Sequence, residues 1–287
     1  MSSTAKQTGR FDWLKPPKGG PGGTMSLIDH LRELRYRLTI AVVAIIIAAI
    51  GAAFYYKELG EFIVAPYNAA KQKILEATDG TADIMLTNQG VVSPFTLAVI
   101  ACVLAGLVIS SPIWLYQIWA YLAPALLKHE KKYVLVFIGG ATPLFLAGCA
   151  LGYIVWARGI EIMLSFTLRD LDVVNMLDMT DFLQKEILIM LVFGVSFVLP
   201  VLLVMLNLAG VVHGFQLGKA RKFVILGSTI FAAVATPTMD PFSMLAMVIP
   251  MSLLFFLAEG VCRLIDKSRG ITEATYAEFN PELDDDE

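Results

Sequence analysis

Long charge-free apolar stretches alternate with short charged segments along this chain. The 19 residues between Arg37 and Lys57 contain no Asp, Glu, Lys or Arg. Five further charge-free stretches follow, at 84–127, 133–157, 187–218, 223–239 and 241–258. A helix rises about 1.5 Å per residue and the hydrocarbon core of a bilayer is about 30 Å thick, so roughly 20 apolar residues cross it. The pattern therefore predicts an all-α, polytopic membrane protein.

Six membrane-spanning helices and two tails account for this pattern. The predicted spans lie at about 37–56, 94–117, 133–156, 185–208, 222–236 and 243–263. They form a transmembrane domain over residues 25–263, in which the polar segments 57–93 and 158–182 are predicted to be loops. Residues 1–24 are rich in Pro and Gly and are predicted to be a flexible cytoplasmic tail, and residues 264–287 an acidic one.

The positions of Lys and Arg set the orientation of the spans. With the N-terminus inside, the predicted inside segments carry 16 of these residues and the outside segments carry 6. Because cytoplasmic segments are enriched in basic residues, both termini are predicted to be cytoplasmic. The stretch from Ile84 could instead hold two short spans with a turn at 110–112. A seventh span would move the basic groups of 128–132 and 219–222 to the outside, which favours one span.

Composition argues against a soluble protein and offers no catalytic chemistry. Hydrophobic residues make up 57% of the chain and charged residues 16%, against about 25% charged residues in soluble domains. The cysteines Cys102, Cys149 and Cys262 lie in apolar segments and are predicted to be buried thiols. The three histidines are predicted to be surface or interfacial residues. Without a nucleotide motif, a metal-ligand cluster or a nucleophile–base pair, we expect no enzyme, no cofactor and no nucleic-acid partner.

Two segments of the predicted cytoplasmic face carry the candidate chemistry. The first is an amphipathic helix leading into the first span, with apolar residues at Leu27, Leu31, Leu34 and Leu38. Its Glu33 can pair locally with Arg37 at a spacing of four residues. The second segment, 111–132, has an aromatic belt followed by a basic cluster that contains a single acid, Glu130.

These two segments resemble the TatC family, the receptor of twin-arginine protein translocation. Residues 30–37 match His-Leu-x-Glu-Leu-Arg-x-Arg, and residues 111–126 match Ser-Pro-x-x-x-Tyr-Gln-x-Trp-Ala-aromatic-x-Ala-Pro-x-Leu. Shorter matches lie at 93–95, 193–197 and 236–243. The blocks keep their order and spacing between about Met25 and Arg263, which makes them specific together although each is weak alone.

The resemblance implies a glove-like bundle of six spans in the bacterial cytoplasmic membrane. It implies a receptor that binds signal peptides with two adjacent arginines on folded proteins and recruits single-span TatA- and TatB-type subunits. Transport would draw on the proton gradient, and the receptor would form homo-oligomers. Glu33 and Glu130 are expected to contact the two arginines. The residues Arg35, Tyr121 and Leu126 are expected in the same site, although an interfacial aromatic also explains Tyr121.

A second group of family positions concerns translocation and partner docking. Pro66 and Asp240 match such positions, although a turn explains Pro66 and a helix N-cap explains Asp240 nearly as well. The fourth span departs from the family, because Val198 stands where a glutamate is usual. We predict that Glu186 and Glu259 supply the polar docking contacts that Val198 cannot, unless their side chains only reach to the interface.

The main alternative is a secondary transporter or channel for a small solute. Such a protein needs a polar site near the midplane of the bilayer, lined by several spans. Ionisable groups are few in the predicted spans, and most polar residues gather on the predicted cytoplasmic face. The pattern therefore favours the receptor.

Overall fold

The computed structural model describes residues 27–77, 84–122, 131–165, 175–236 and 241–271. These residues form α1 (Leu27–Ala52), a 3-10 turn (Ala53–Tyr55), α2 (Tyr56–Ala77), β1 (Ile84–Thr87), α3 (Ser93–Ile109), α4 (Ser111–Leu122), α5 (Lys131–Ser165), β2 (Asn175–Asp178), α6 (Met179–Leu208), α7 (Gly214–Ala235) and α8 (Pro241–Ser268). The tail predicted at 1–24 and most of the tail predicted at 264–287 lie outside the described residues.

Several of the described helices are long and apolar enough to span a membrane. Among the described residues, four stretches are long and apolar enough to cross a membrane, namely Ile28–Lys73, Val134–Ser165, Met179–Leu208 and Pro241–Ser268. The bent pair α3 and α4 makes a fifth. The remaining predicted span, 222–236, lies in α7, whose first half carries Lys219, Arg221 and Lys222 and leaves a short apolar stretch. The count of six spans therefore stays a prediction.

The prediction of a loop at 57–93 is wrong over most of the described part of this segment, because residues 56–77 form the helix α2. Ile63, Pro66, Tyr67 and Ala70 recur at helical spacing and are buried. The polar residues of this segment lie on the other face, which made the whole segment resemble a loop by composition. Pro66 lies inside α2, so the interpretation of Pro66 as a turn residue is also wrong.

The segment predicted as a loop at 158–182 is also partly regular, and the all-α prediction misses a small sheet. Helix α5 continues to Ser165, and α6 begins at Met179 with Asp178 as its N-cap, whose side chain accepts from Asp181 N at 2.9 Å. Strands β1 and β2 pair in parallel, with Ile84 opposite Asn175. Each strand has four residues and its partner is about ninety residues away, so no local pattern predicts the pairing.

The break at Ser110 lies where the rejected two-span alternative placed a turn. Helices α3 and α4 meet there at 61°. Pro112 explains the break, since its ring clashes with the carbonyl four residues earlier and it has no N–H to donate. Trp114 Nε1 donates to the carbonyl oxygen of Leu107 at 2.9 Å, which gives a carbonyl in the last turn of α3 a donor partner.

Helices α5 and α6 form the centre of the bundle, and glycines let their backbones meet. A Cβ on Gly148 would lie 2.6 Å from the carbonyl oxygen of Phe193, and one on Gly152 would lie 2.8 Å from Met190 Cα. Such small-residue pairs allow close helix approach. The three cysteines are buried and free, as predicted.

Candidate functional site

Glu33 is a buried acid near the start of α1. It is 5% exposed, and Arg37 Nε and Nη2 donate to its Oε1 at 2.9 and 2.5 Å. The two residues are one helical turn apart, so the predicted local pair is confirmed. Glu33 Oε2 is buried and has no hydrogen-bond partner among the described residues.

The free oxygen gives Glu33 unused capacity to accept a donor. A carboxylate offers about four lone-pair sites, and Arg37 uses only those of one oxygen. A buried polar group without a partner costs about 1–3 kcal/mol. A cationic donor that reached Oε2 would therefore recover this energy and add a charge-assisted hydrogen bond.

An apolar cavity of 380 Å³ adjoins this pair. Its wall is formed by α1, α3, α4 and α6, with Leu34, Arg37, Leu38, Ala41, Val42, Ile45, Leu107, Trp114, Gln117, Ile118, Tyr121, Leu191 and Val195. Tyr121 also stacks on His30, with ring centroids 4.5 Å apart. The wall from α6 was not predicted, because no sequence pattern shows which faces of distant helices meet.

The structure places the other predicted peptide-binding residues in different ways. Tyr121 lines the cavity that adjoins Glu33. Arg35 is exposed on α1, and its carbonyl oxygen accepts from Thr39 Oγ1 at 2.8 Å. Leu126 and Glu130 lie outside the described residues, so the predicted pairing of two carboxylates stays a prediction.

Glu186 is a fully buried acid in α6. It is 0% exposed, and neither of its carboxyl oxygens has a partner in the described part of the chain. Trp156 Nε1 is also buried and has no hydrogen-bond partner among the described residues. Gly148 packs on Phe193 and Gly152 packs on Met190, so α5 and α6 run antiparallel here. One helical turn further along α5, Trp156 is therefore level with Glu186. Val198 lies three turns further along α6 and is buried among apolar residues.

Glu259 is buried in α8 and fully paired. Arg221 Nε and Nη2 donate to its Oε2 and Oε1 at 2.7 Å each, and Arg263 Nε donates to Oε1 at 2.7 Å. This acid is 2% exposed, and the pair with Arg221 joins α7 to α8. Asp240, the other acid of this region, lies outside the described residues.

Sequence reasoning missed another buried acid, Asp266, which fixes the connection between α6 and α7. Asp266 accepts from Asn207 Nδ2 at 2.8 Å and from Gly214 N at 2.6 Å. His213 is the buried N-cap residue of α7, so the prediction of a surface position is wrong for this histidine. A Cβ on Gly214 would lie 2.7 Å from Arg263 N, which explains the glycine.

The chain is similar along most of its length to proteins of one family. The family described as "Sec-independent protein translocase protein (TatC)" matches residues 29–250. The Sec-independent protein translocase protein TatC of Frankia casuarinae is 37% identical over 268 residues, which cover 92% of this chain and 72% of that protein. The TatC protein of Escherichia coli is 30% identical, over 81% of this chain and 86% of that protein.

A solved structure shows the same fold. The crystal structure of a TatC protein, described as a twin arginine translocase receptor, matches with a TM-score of 0.65 and 29% identity. The match covers 82% of this chain and 98% of that one. Because the family match spans most of the chain, the chain belongs to the TatC family of Sec-independent protein translocase proteins.

Proposed function

We propose that this chain is the receptor subunit of a twin-arginine translocase in the bacterial cytoplasmic membrane. It binds signal peptides with two adjacent arginines on folded proteins. The observation that carries the proposal is the Glu33 carboxylate, which is buried beside an apolar cavity and has one oxygen without a partner among the described residues. The description of the similar crystal structure as a twin arginine translocase receptor supports it.

The chemistry of arginine suits such a carboxylate. A guanidinium is planar and presents parallel N–H groups, whereas a lysine ammonium is a compact point charge. Each charge-assisted hydrogen bond contributes about 1.5–3 kcal/mol. In this proposal Glu33 and Glu130 each receive one arginine of the peptide. Arg35, Tyr121 and Leu126 complete the site.

The cavity suits the apolar stretch that follows the charged start of a signal peptide. Such stretches have about 7–15 residues. The α1 residues that line the cavity run from Leu34 to Ile45, which is about 16 Å at about 1.5 Å per residue. A helical segment of about ten apolar residues has this length. The charged start and the apolar stretch of one peptide can therefore bind at successive positions along α1.

Docking of TatA- and TatB-type subunits is proposed at Pro66, Glu186, Val198, Asp240 and Glu259. Glu186 supports this best, because its carboxyl has no hydrogen-bond partner among the described residues, and a docking helix that displaced the packing around this fully buried group would supply one. Site-specific crosslinking from 186 and from 198 to a TatA-type subunit tests it. We expect contact at 186, and contact centred only on 198 would contradict the role of Glu186.

The arrangement in the membrane is part of the same proposal. Six spans form a glove-like bundle with both termini in the cytoplasm, copies of the chain associate, and the proton gradient drives transport. Strands β1 and β2 support this arrangement of spans, because their pairing brings the two segments predicted to be outside to the same end of the bundle. A secondary transporter or channel is not favoured, since the relatives are named as protein translocase components.

Binding of a synthetic twin-arginine peptide to the full chain in detergent tests the proposed site. We expect Glu33→Ala and Glu130→Ala each to weaken binding by about tenfold or more, as the loss of one charge-assisted hydrogen bond requires. The matched control is Asp29→Ala, which removes an exposed acid of the same helix. Unchanged affinity in both glutamate variants would contradict the proposal.

A further inference from the structure

Arg37 already occupies one oxygen of the carboxylate proposed to receive a peptide arginine. Two of its three guanidinium nitrogens, Nε and Nη2, donate to Glu33 Oε1. The Arg37 side chain is 16% exposed and also lines the apolar cavity. Before a peptide arrives, Glu33 is therefore neutralised by an arginine of its own helix, while its buried Oε2 still lacks a hydrogen-bond donor among the described residues.

We propose that Arg37 is a specificity-determining residue that makes the receptor discriminate between arginine and lysine. It cancels most of the charge of Glu33 and leaves hydrogen bonding at Oε2 as the main attraction for a peptide. This inference rests on the proposed function of Glu33 as a peptide-binding residue.

The physical basis is the difference between the two cations. A lysine ammonium is recognised largely by its charge, and a neutral Glu33–Arg37 pair attracts a point charge only weakly. A guanidinium can direct two N–H groups at the two lone pairs of Oε2, and such charge-assisted bonds depend on geometry. Neutralising Glu33 therefore weakens the binding of lysine more than the binding of arginine.

Other charges described on this part of α1 do not replace Arg37. Arg32 pairs with Asp29 at 3.4 Å, and both side chains are exposed to solvent, where their fields are screened. Arg37 is the residue whose guanidinium contacts Glu33 in the described structure. Its removal changes the charge at Glu33, whereas removal of Arg32 changes only the net charge of the same helix.

The experiment compares two synthetic peptides that differ only in an Arg-Arg or Lys-Lys pair before the same apolar stretch. Their dissociation constants are measured on the full chain in detergent for wild type, Arg37→Gln, Arg37→Lys and the control Arg32→Gln. We expect Arg37→Gln to tighten binding of the Lys-Lys peptide and to lower the preference for Arg-Arg by about tenfold, the effect of roughly one charge-assisted hydrogen bond. Arg37→Lys and Arg32→Gln should keep the preference near that of wild type.

An unchanged preference in Arg37→Gln would overturn the proposal. If the unchanged preference comes with an equal loss of affinity for both peptides, Arg37 only holds Glu33 in position. If Arg37→Gln does not fold, Arg37→His replaces it, because one folded variant then carries the charge at pH 5.5 and loses it at pH 8.5. The preference of Arg37→His for the Arg-Arg peptide must fall when the pH is raised from 5.5 to 8.5, while that of wild type must not.

The variant Glu33→Gln separates this inference from the function on which it rests. If Glu33→Gln binds the Arg-Arg peptide as wild type does, the proposed role of Glu33 fails. If Glu33→Gln weakens binding while Arg37→Gln keeps the preference, only the role of Arg37 fails.

Discussion

Glu33 and Glu259 are both buried glutamates that pair with arginine, but they differ in how many oxygens are used. Arg221 and Arg263 bond both oxygens of Glu259 and join α7 to α8. Arg37 bonds one oxygen of Glu33 and leaves the other without a partner among the described residues. Burial and residue type are therefore the same at the two sites. Occupancy of the second oxygen distinguishes the crosslink at Glu259 from the proposed ligand site at Glu33.

The largest effect is expected for Glu259→Gln. The variant loses charge-assisted bonds to two arginines, so we expect the free energy of unfolding to fall by about 2–4 kcal/mol. Both arginines are about half-exposed and regain water, which limits the loss. Thermal and denaturant unfolding in detergent measure it, with the exposed Glu58→Gln as control. The affinity of Glu259→Gln for the twin-arginine peptide should be unchanged. Equal stability of Glu259→Gln and Glu58→Gln would contradict the structural role of Glu259.

Glu186 extends the comparison to an acid with no cationic partner in the described structure. Replacing such a group by an apolar residue of similar size removes a desolvation penalty, so Glu186→Met is expected to raise the free energy of unfolding by about 1–2 kcal/mol. Export of a folded twin-arginine reporter should fall if Glu186 docks a partner. A loss of stability would show that the carboxyl has a stabilising contact of its own.

A smaller effect on stability is expected for Glu33→Gln. The side-chain carbonyl of glutamine still accepts from Arg37, so the free energy of unfolding should fall by about 1 kcal/mol or less. Peptide affinity should fall, which is the opposite of the result for Glu259→Gln. Unfolding and peptide binding are measured on the same preparations. A loss of stability as large as that of Glu259→Gln would make Glu33 a structural residue.

The smallest effect is expected at the partly exposed acid Glu161, near the C-terminal end of α5, whose 35 residues extend beyond the roughly 20 that cross a bilayer. The hydrogen bond from Lys73 at 2.9 Å lowers the pKa of this carboxyl, and Arg158 adds to the effect. A carboxyl with a lowered pKa contributes stability above its unfolded pKa of about 4.3 and loses it as the pH falls through the folded value. Solvent screens this exposed pair, so its contribution is below about 1 kcal/mol.

Lys73→Met should therefore lower the free energy of unfolding at pH 7 by about 0.5 kcal/mol. The difference from wild type should shrink as the pH falls below about 4.3 and vanish below the lowered folded pKa of Glu161, where the carboxyl is protonated in both. Unfolding curves at several pH values measure this, with Lys71→Met as the control on the same helix. A difference that grows towards low pH would contradict the sign.

The sequence predicted best what depends on local spacing or on long apolar stretches. The pair of Glu33 with Arg37 follows from a spacing of four residues, and the apolar stretches marked the helices. It predicted least well what depends on distant contacts. The buried face of α2 was hidden by polar neighbours, and the partners of Asp266 on α6 and α7 are more than fifty residues away. The lack of a partner for Glu186 among the described residues depends on the same kind of packing.

The parallel pairing of β1 with β2 sets an order for biosynthesis. Helices α3, α4 and α5 lie between the two strands in the chain, so the strands cannot meet until all three helices and β2 have been made. Contacts of such long sequence separation form slowly, because the intervening chain must first be ordered. Amide protection at Ile84–Thr87 would therefore be a late marker of assembly, gained only after the first helices have been placed.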